Sequence, residues 1–156
     1  MIISFKVGYC IYHKNNNGTV IATPHSGPAF ETSTARDDNS ETVASLCWKK
    51  LGGTLVVANV SRKRSWGVDL NRGIPSLAIS LKMFDAFIND SNENELYEYR
   101  KKFAWVSKDE EDYKKRLEIY ENFWDEVNKG KCIILVHRAL TRVKNMSSVM
   151  DIVVFD

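Results

Sequence analysis

TLVVANV, residues 54–60, is a continuous apolar run rich in β-branched residues, and it is the clearest pointer to the architecture. A strand that is apolar on both faces is typical of a parallel sheet covered by helices on both sides. The runs TVIAT, residues 19–23, and KCIILVH, residues 131–137, have the same character. These three runs indicate an α/β domain in which helices pack on a central sheet.

The segments around these runs alternate between strands and helices. Residues 2–12 predict a strand that forms a hairpin with 19–23 through the polar turn KNNNG. Helical spacing predicts a helix over 39–51 and, with a break at NDSNEN, helices over most of 76–129. MDIVVFD predicts a further short strand. This order predicts one domain, residues 1–156, with an α/β sandwich and a mixed sheet.

Composition and charge narrow the class of protein. With 44% hydrophobic residues the chain can bury a core, and its net charge of +2 gives no sign of a nucleic-acid partner or a disordered tail. Three scattered cysteines predict buried thiols in a reducing compartment. No apolar run approaches the roughly 18 residues that span a bilayer, and the first residues lack a basic signal region. We therefore expect a soluble cytoplasmic protein with no membrane partner.

Polar side chains follow the three apolar runs where the strands end. His25 follows TVIAT, Arg62 follows VVANV, and His137 ends CIILVH. In open α/β sheets, ligands bind beyond the carboxyl ends of parallel strands. If these strands share one direction, the two imidazoles and the guanidinium open into one cleft.

Two histidines at strand ends indicate a metal site. Neutral imidazole suits zinc, and a catalytic zinc site takes three protein ligands and leaves one position open for water. The third ligand would be a carboxylate, with Glu31 as the nearest candidate and Asp37, Asp38 and Glu41 as rivals. The alternative is that each histidine is an ordinary surface or hydrogen-bonded residue.

VSRKRSWGVDLNRG, residues 60–73, is a loop dense in positive charge. Its basic residues are Arg62, Lys63, Arg64 and Arg72. Guanidinium groups bind carboxylates bidentately, so the loop suits an anionic substrate. The alternative is a solvated basic loop, against which Trp66 and Val68 argue. A nucleic acid is the weaker partner, because the acidic helices of 90–126 balance the basic cluster.

PHSG, residues 24–27, and the SR…VDLNR pattern of residues 61–72 resemble motifs of the N-formylglutamate amidohydrolase family. In that family a tyrosine-rich helix, a strand ending in histidine and a DIVLG-like strand come next. YKKRLEIYENFW, ILVH and MDIVVF follow here in the same order. The family is similar to zinc carboxypeptidases and aspartoacylases. The resemblance implies a three-layer α/β/α sandwich around a mixed, mostly parallel sheet, and one zinc ion.

The resemblance also implies which residues bind the metal. His25 and His137 would be zinc ligands, and Glu31 would be the carboxylate ligand, by analogy with the histidine-then-glutamate pattern of these hydrolases. The pair Asp37 and Asp38 matches an acidic element of the formylglutamate enzymes, so Asp38 is a rival ligand.

The remaining roles concern the substrate. Arg62 would polarise the scissile carbonyl, and Asn71 and Arg72 would hold a substrate carboxylate. The function implied is that of a zinc-dependent amidohydrolase acting on a small carboxylate-bearing amide. The family's distal glutamate, which serves as general base, has no counterpart in this sequence. The alternative is therefore a non-catalytic carboxylate-binding relative, and a homo-oligomer, in which a second copy completes the site, is also open.

Overall fold

The computed structural model describes residues 1–28, 36–139 and 149–155. Within these residues there are six strands and four helices. In chain order they are β1 (Ile2–Lys6), β2 (Tyr9–His13), β3 (Thr19–Thr23), α1 (Ser40–Leu51), β4 (Thr54–Ala58), α2 (Leu77–Ile88), α3 (Glu93–Lys102), α4 (Glu110–Val127), β5 (Cys132–Ala139) and β6 (Val149–Phe155). The predicted helix of 39–51 and the predicted break at NDSNEN are confirmed by α1 and by the gap between α2 and α3.

The strands form one mixed sheet in the order β1-β2-β4-β3-β5-β6. β3 lies at the centre and pairs in parallel with β4 and β5. The pairs β1–β2, β2–β4 and β5–β6 are antiparallel. The class, α/β with a mixed sheet, is confirmed. The prediction of a mostly parallel sheet is wrong, since three of the five pairings in the described residues are antiparallel.

The antiparallel part of the sheet begins with a tight turn that the sequence analysis missed. Gly8 has a φ of 84°, a left-handed conformation that glycine adopts without a steric penalty. The run 2–12 therefore folds back on itself into β1 and β2. β2 then pairs with β4, with Tyr9 opposite Ala58, and not with β3. The predicted hairpin between 2–12 and 19–23 is wrong for this reason.

Helices cover both faces of the central strands. Ile21 of β3 packs in a cluster with Trp48 of α1. Its neighbour Val20 packs in a different cluster with Phe123 of α4. Successive side chains of a strand point to opposite faces of the sheet, so β3 must be apolar on both faces. This double burial explains the apolar composition of TVIAT.

Two further expectations concern the whole chain. The three cysteines are free thiols, as expected, but they are half-buried and not fully buried. In the described ranges, no helix combines the length and the apolar character needed to cross a membrane.

Phe123→Ala is expected to lower the free energy of unfolding by about 3–5 kcal/mol, because it empties a fully buried position between the sheet and α4. The ring of Phe123 also packs edge-on against Tyr9, at a centroid distance of 5.9 Å. Phe5→Ala is the matched control, since Phe5 is 77% exposed and its loss should change stability by less than about 0.5 kcal/mol. Urea unfolding curves measure both variants, and equal shifts would contradict this packing.

Candidate metal centre

The carboxyl ends of β3, β4 and β5 meet at one edge of the sheet, because these strands run parallel. His25 lies just beyond β3, and His137 lies in the last part of β5. Their ring centroids are 5.1 Å apart. The predicted convergence of the two imidazoles is confirmed.

Asp37 supplies a carboxylate to this cluster. Its Oδ2 atom lies 3.5 Å from Nδ1 of His25 and 3.3 Å from Nδ1 of His137. The ligand atoms of the three residues lie within 4.8 Å of one another, so the group could hold a metal ion. Ligand atoms of a tetrahedral zinc site, at about 2.0–2.1 Å from the ion, are separated by about 3.3 Å. The two distances to Asp37 match that spacing.

Backbone hydrogen bonds place the Asp37 carboxylate. The backbone N–H of Asp37 donates to the carbonyl of His25 at 2.7 Å, which fixes the segment before α1 against the end of β3. The backbone N–H of Arg138 donates to Asp37 Oδ2 at 3.2 Å. The carboxylate is therefore held from two strand ends at once.

Asp69 orients the ring of His25. Its Oδ1 atom lies 2.7 Å from Nε2 of His25, and a carboxylate oxygen can only accept, so Nε2 carries the proton. Nδ1 is then the atom that faces Asp37. A neutral Nδ1 and a carboxylate are both acceptors, so at this distance they need a cation or a proton between them. Metal-binding histidines commonly have a carboxylate on their second ring nitrogen, and the donor set fits a metal on this ground.

The pKa values show a strongly negative environment. Burial lowers the pKa of His25, but the hydrogen bonds to Asp37 and Asp69 and their charges outweigh it and raise the pKa above its ordinary value. Burial raises the pKa of the Asp37 carboxyl, but hydrogen bonds from His137 and His25 hold it well below its usual range. The site is therefore built to hold a positive charge.

Arg62 contacts the same carboxylate from the other side. Its Nη1 atom donates to Asp37 Oδ1 at 3.2 Å. One oxygen of Asp37 thus faces the histidines and the other is held by the guanidinium. Since the side chain of Arg62 is 26% exposed, it lies between the cluster and solvent.

Asn71 and Arg72, the predicted substrate-binding pair, lie beside Asp69. Arg64 contacts the same carboxylate. Arg64 Nη2 is 2.8 Å from Asp69 Oδ2, and the backbone N–H of Asn71 donates to Asp69 Oδ1 at 3.1 Å. Arg72 Nε is 4.0 Å from Asp69 Oδ2. Asn71 and Arg72 are both exposed. Their side chains are thus accessible from solvent, next to the carboxylate that orients His25.

The other carboxylates singled out in the sequence have different places. Glu31 lies outside the described residues, so its assignment as a ligand stays a prediction. Asp38 contacts Arg36 at 3.3 Å and Arg138 at 3.0 Å, and Glu41 pairs with Arg36. Among the carboxylates that the structure describes, the one beside both histidines belongs to Asp37.

From the sequence, Asp37 was one of several rival ligands, and Asp69 had no predicted role. One signal in the sequence could have pointed to Asp69: it is an acidic residue in a loop that carries four basic residues. A carboxylate in such a loop is expected to form an ion pair with one of them. Which charged group it orients depends on contacts across the fold. For Asp37, the sequence offered several nearby carboxylates and no means of ranking them.

The loop that carries Arg62 and Arg64 is closed tightly on itself. The backbone N–H of Val68 donates to the carbonyl of Ser61 at 2.8 Å, and Arg116 of α4 donates to the carbonyl of Gly67 at 2.7 Å. A Cβ atom at Gly67 would lie 1.9 Å from the Ser61 carbonyl oxygen. Only glycine allows this approach, so the closed form of the loop requires glycine at position 67.

Comparison of the chain with protein-family models, with curated proteins and with solved structures finds no match. The resemblance to the amidohydrolase family therefore rests on the motifs quoted above and stays a prediction. Fold and site together define an α/β protein with a mixed sheet, in which a His–Asp–His cluster able to hold a metal ion lies at the carboxyl ends of the parallel strands.

Gly67→Ala is expected to lower the free energy of unfolding by about 1–3 kcal/mol, because the added methyl group meets the Ser61 carbonyl and forces the loop apart. Gly73→Ala is the matched control, since its added Cβ would meet only the Lys102 carbonyl, at 3.2 Å. Thermal or urea unfolding compares the two. A Gly67 variant no less stable than the Gly73 variant would show that the loop is not closed as described.

Proposed function

We propose that the protein is a zinc-dependent hydrolase that cleaves the amide bond of a small carboxylate-bearing compound, similar to the N-formylglutamate amidohydrolases. The observation that carries this proposal is the meeting of His25, Asp37 and His137 beyond the parallel strands, with Asp69 on the second nitrogen of His25. Three protein ligands that leave a position open are typical of catalytic zinc sites. On this proposal the helices on the two sheet faces form the three-layer sandwich of the zinc carboxypeptidases.

The donor set favours zinc over harder cations. Two imidazole nitrogens and one carboxylate oxygen suit zinc, whereas calcium and magnesium are bound mainly by oxygen. Nδ1 of His25, Nδ1 of His137 and Oδ2 of Asp37 would hold the ion. When bound, zinc would supply a Lewis acid and a bound water of lowered pKa.

Arg62 is placed to stabilise negative charge on the substrate. Its guanidinium lies beside Asp37 and is partly exposed, so it can donate to a carbonyl oxygen as charge develops there. Preorganised donors of this kind contribute several kcal/mol to catalysis. The exposed guanidinium of Arg72 is available to hold a substrate carboxylate and so position the amide.

A non-catalytic carboxylate-binding protein is the second candidate. In the part of the chain that the structure describes, the carboxylates near the histidines are already committed. Asp37 accepts from Arg62 and Arg138, Asp69 lies against Arg64, and Asp38 lies against Arg138. Such a site would bind carboxylates without turnover unless a further carboxylate acts as base.

Protein purified without added metal is expected to carry about one zinc ion per chain. His25→Ala, His137→Ala and Asp37→Ala each remove one ligand and should lose the ion. His13→Ala is the matched control, because Nδ1 of His13 lies 3.0 Å from Thr54 Oγ1 on β4, outside the cluster. Elemental analysis of the purified proteins measures the zinc content.

Asp69→Asn keeps all three ligands but removes the charge that orients His25. It is expected to weaken zinc affinity by about 10- to 100-fold, as chelator competition would measure. A wild-type protein that holds no zinc and cannot be loaded contradicts the proposal, and so does a His13 variant that loses zinc as fully as the His25 variant.

Zinc-loaded protein is expected to hydrolyse N-acyl amino acids, with N-formylglutamate as the first probe. Arg62→Ala should lower kcat/KM by about 100- to 1,000-fold, because the oxyanion loses its donor. Zinc content is measured in the same samples, and Lys82→Ala, an exposed change on α2, is the control. Carboxylate binding without turnover in zinc-loaded protein would favour the second candidate instead.

A further inference from the structure

A pocket with a volume of about 490 Å³ opens between α2, α3 and the basic loop after β4. It is lined by Arg62, Lys63, Arg64, Ser65, Phe87 and Arg100. Small-molecule sites have volumes of roughly 300–1,000 Å³, so this cavity suits a small ligand or part of one. The described part of this lining carries four cationic side chains and no carboxylate. In this respect the pocket differs from the metal cluster, by which we mean the candidate site formed by His25, Asp37 and His137.

Arg64 joins the loop to α3. Its Nη2 atom donates to the carbonyl of Arg100 at 2.7 Å, and its Nε atom donates to the carbonyl of Phe103 at 3.3 Å. The last carbonyls of a helix have no partner within the helix, so the guanidinium caps α3. The pocket walls are thus held together before a ligand arrives, which favours binding.

Two other cations are held in place by aromatic rings. The guanidinium carbon of Arg100 lies 5.3 Å from the ring centre of Phe87, and Nζ of Lys63 lies 4.8 Å from that of Trp66. Cation–π contacts of this kind orient a charge without neutralising it. The side chain of Arg100 is 49% exposed, so its charge is accessible from solvent.

Three carboxylates that pair with lining cations, Asp37, Asp69 and Asp90, lie outside the described lining of the pocket. Asp37 and Asp69, which pair with Arg62 and Arg64, have side chains only 5% and 4% exposed. Asp90 lies 3.7 Å from Arg100 and is 83% exposed. The lining itself therefore presents positive charge to the cavity.

The positive charges of this region oppose one another. Burial lowers the pKa of Arg64; the charge of Asp69 raises it, and the charges of Arg72, Arg62 and Arg100 lower it further. Repulsion between like charges remains in the pocket although each of these arginines also has a carboxylate partner. A bound anion would offset part of this repulsion.

We propose that this pocket binds the phosphate group of a small ligand. Several cationic donors and the hydroxyl of Ser65 match the three oxygens and the charge of nearly −2 of a phosphate monoester, whereas a single carboxylate needs one guanidinium. Since Arg62 lines this pocket and also contacts Asp37, the pocket adjoins the metal cluster. A substrate that spans both would carry a phosphate and an amide. Only this last point rests on the proposed function.

Isothermal titration calorimetry of the full-length, metal-free protein with inorganic phosphate, at constant ionic strength, tests the phosphate site. Binding is expected to saturate, and Arg100→Ala and Lys63→Ala should each weaken it about tenfold or more, since each removes one charge-assisted contact. Lys101→Ala is the matched control, because it removes the same charge from α3 while its side chain pairs with Glu98, away from the pocket. Its phosphate affinity should equal that of the wild type.

Three outcomes would overturn the proposal: heat that does not saturate, equal weakening by Lys101→Ala, or glutarate binding more tightly than phosphate. Lys63 lies in the loop after β4 and not in a helix. If Arg100→Ala fails to fold, the phosphate affinity of Lys63→Ala still tests the proposal. His25→Ala separates this proposal from the proposed function. This variant should lose zinc and keep its phosphate affinity. The zinc measurement and the phosphate measurement therefore test the two proposals independently, and either proposal can fail without the other.

Discussion

The hydrogen bond between Nε2 of His25 and Oδ1 of Asp69, 2.7 Å long and buried, is the contact on which the site depends. It joins the turn after β3 to the loop after β4 and selects the tautomer of the imidazole. With Nε2 used for Asp69, Nδ1 is left to face Asp37 and His137. Without Asp69, nothing would hold the ring in this orientation and tautomer, and the three ligand atoms would converge less favourably on one point.

Buried charge explains the arginines around this contact. A carboxylate taken out of water is costly unless it is paired and hydrogen-bonded. Asp37 and Asp69 are each held by a histidine on one side and by Arg62 or Arg64 on the other. The same guanidinium groups line the neighbouring basic pocket, so the metal cluster and the proposed phosphate site share one wall. A single loop thus stabilises the site and, on our proposal, would also bind an anion.

Much of the fold was predictable, and so was part of the site. The runs 19–23, 54–60 and 131–137 become β3, β4 and β5, and the two histidines meet as their positions at strand ends suggested. The hairpin at Gly8 was missed because a left-handed turn inside an alternating run leaves the apolar pattern intact. The choice of Asp37 over its neighbours was missed because it depends on the hydrogen bond from its backbone N–H to the carbonyl of His25.

The amino-acid sequence alone was enough to identify the buried strands, the main helices and the residue types of the site, because those signals are periodic and local. Strand order, the direction of each pairing and the partner of each charge were settled only in three dimensions. The contacts that decide them join residues far apart in the chain. His25 and Asp69 are 44 positions apart, and Asp37 and His137 are 100 positions apart. No local pattern records which of several carboxylates a distant histidine will meet.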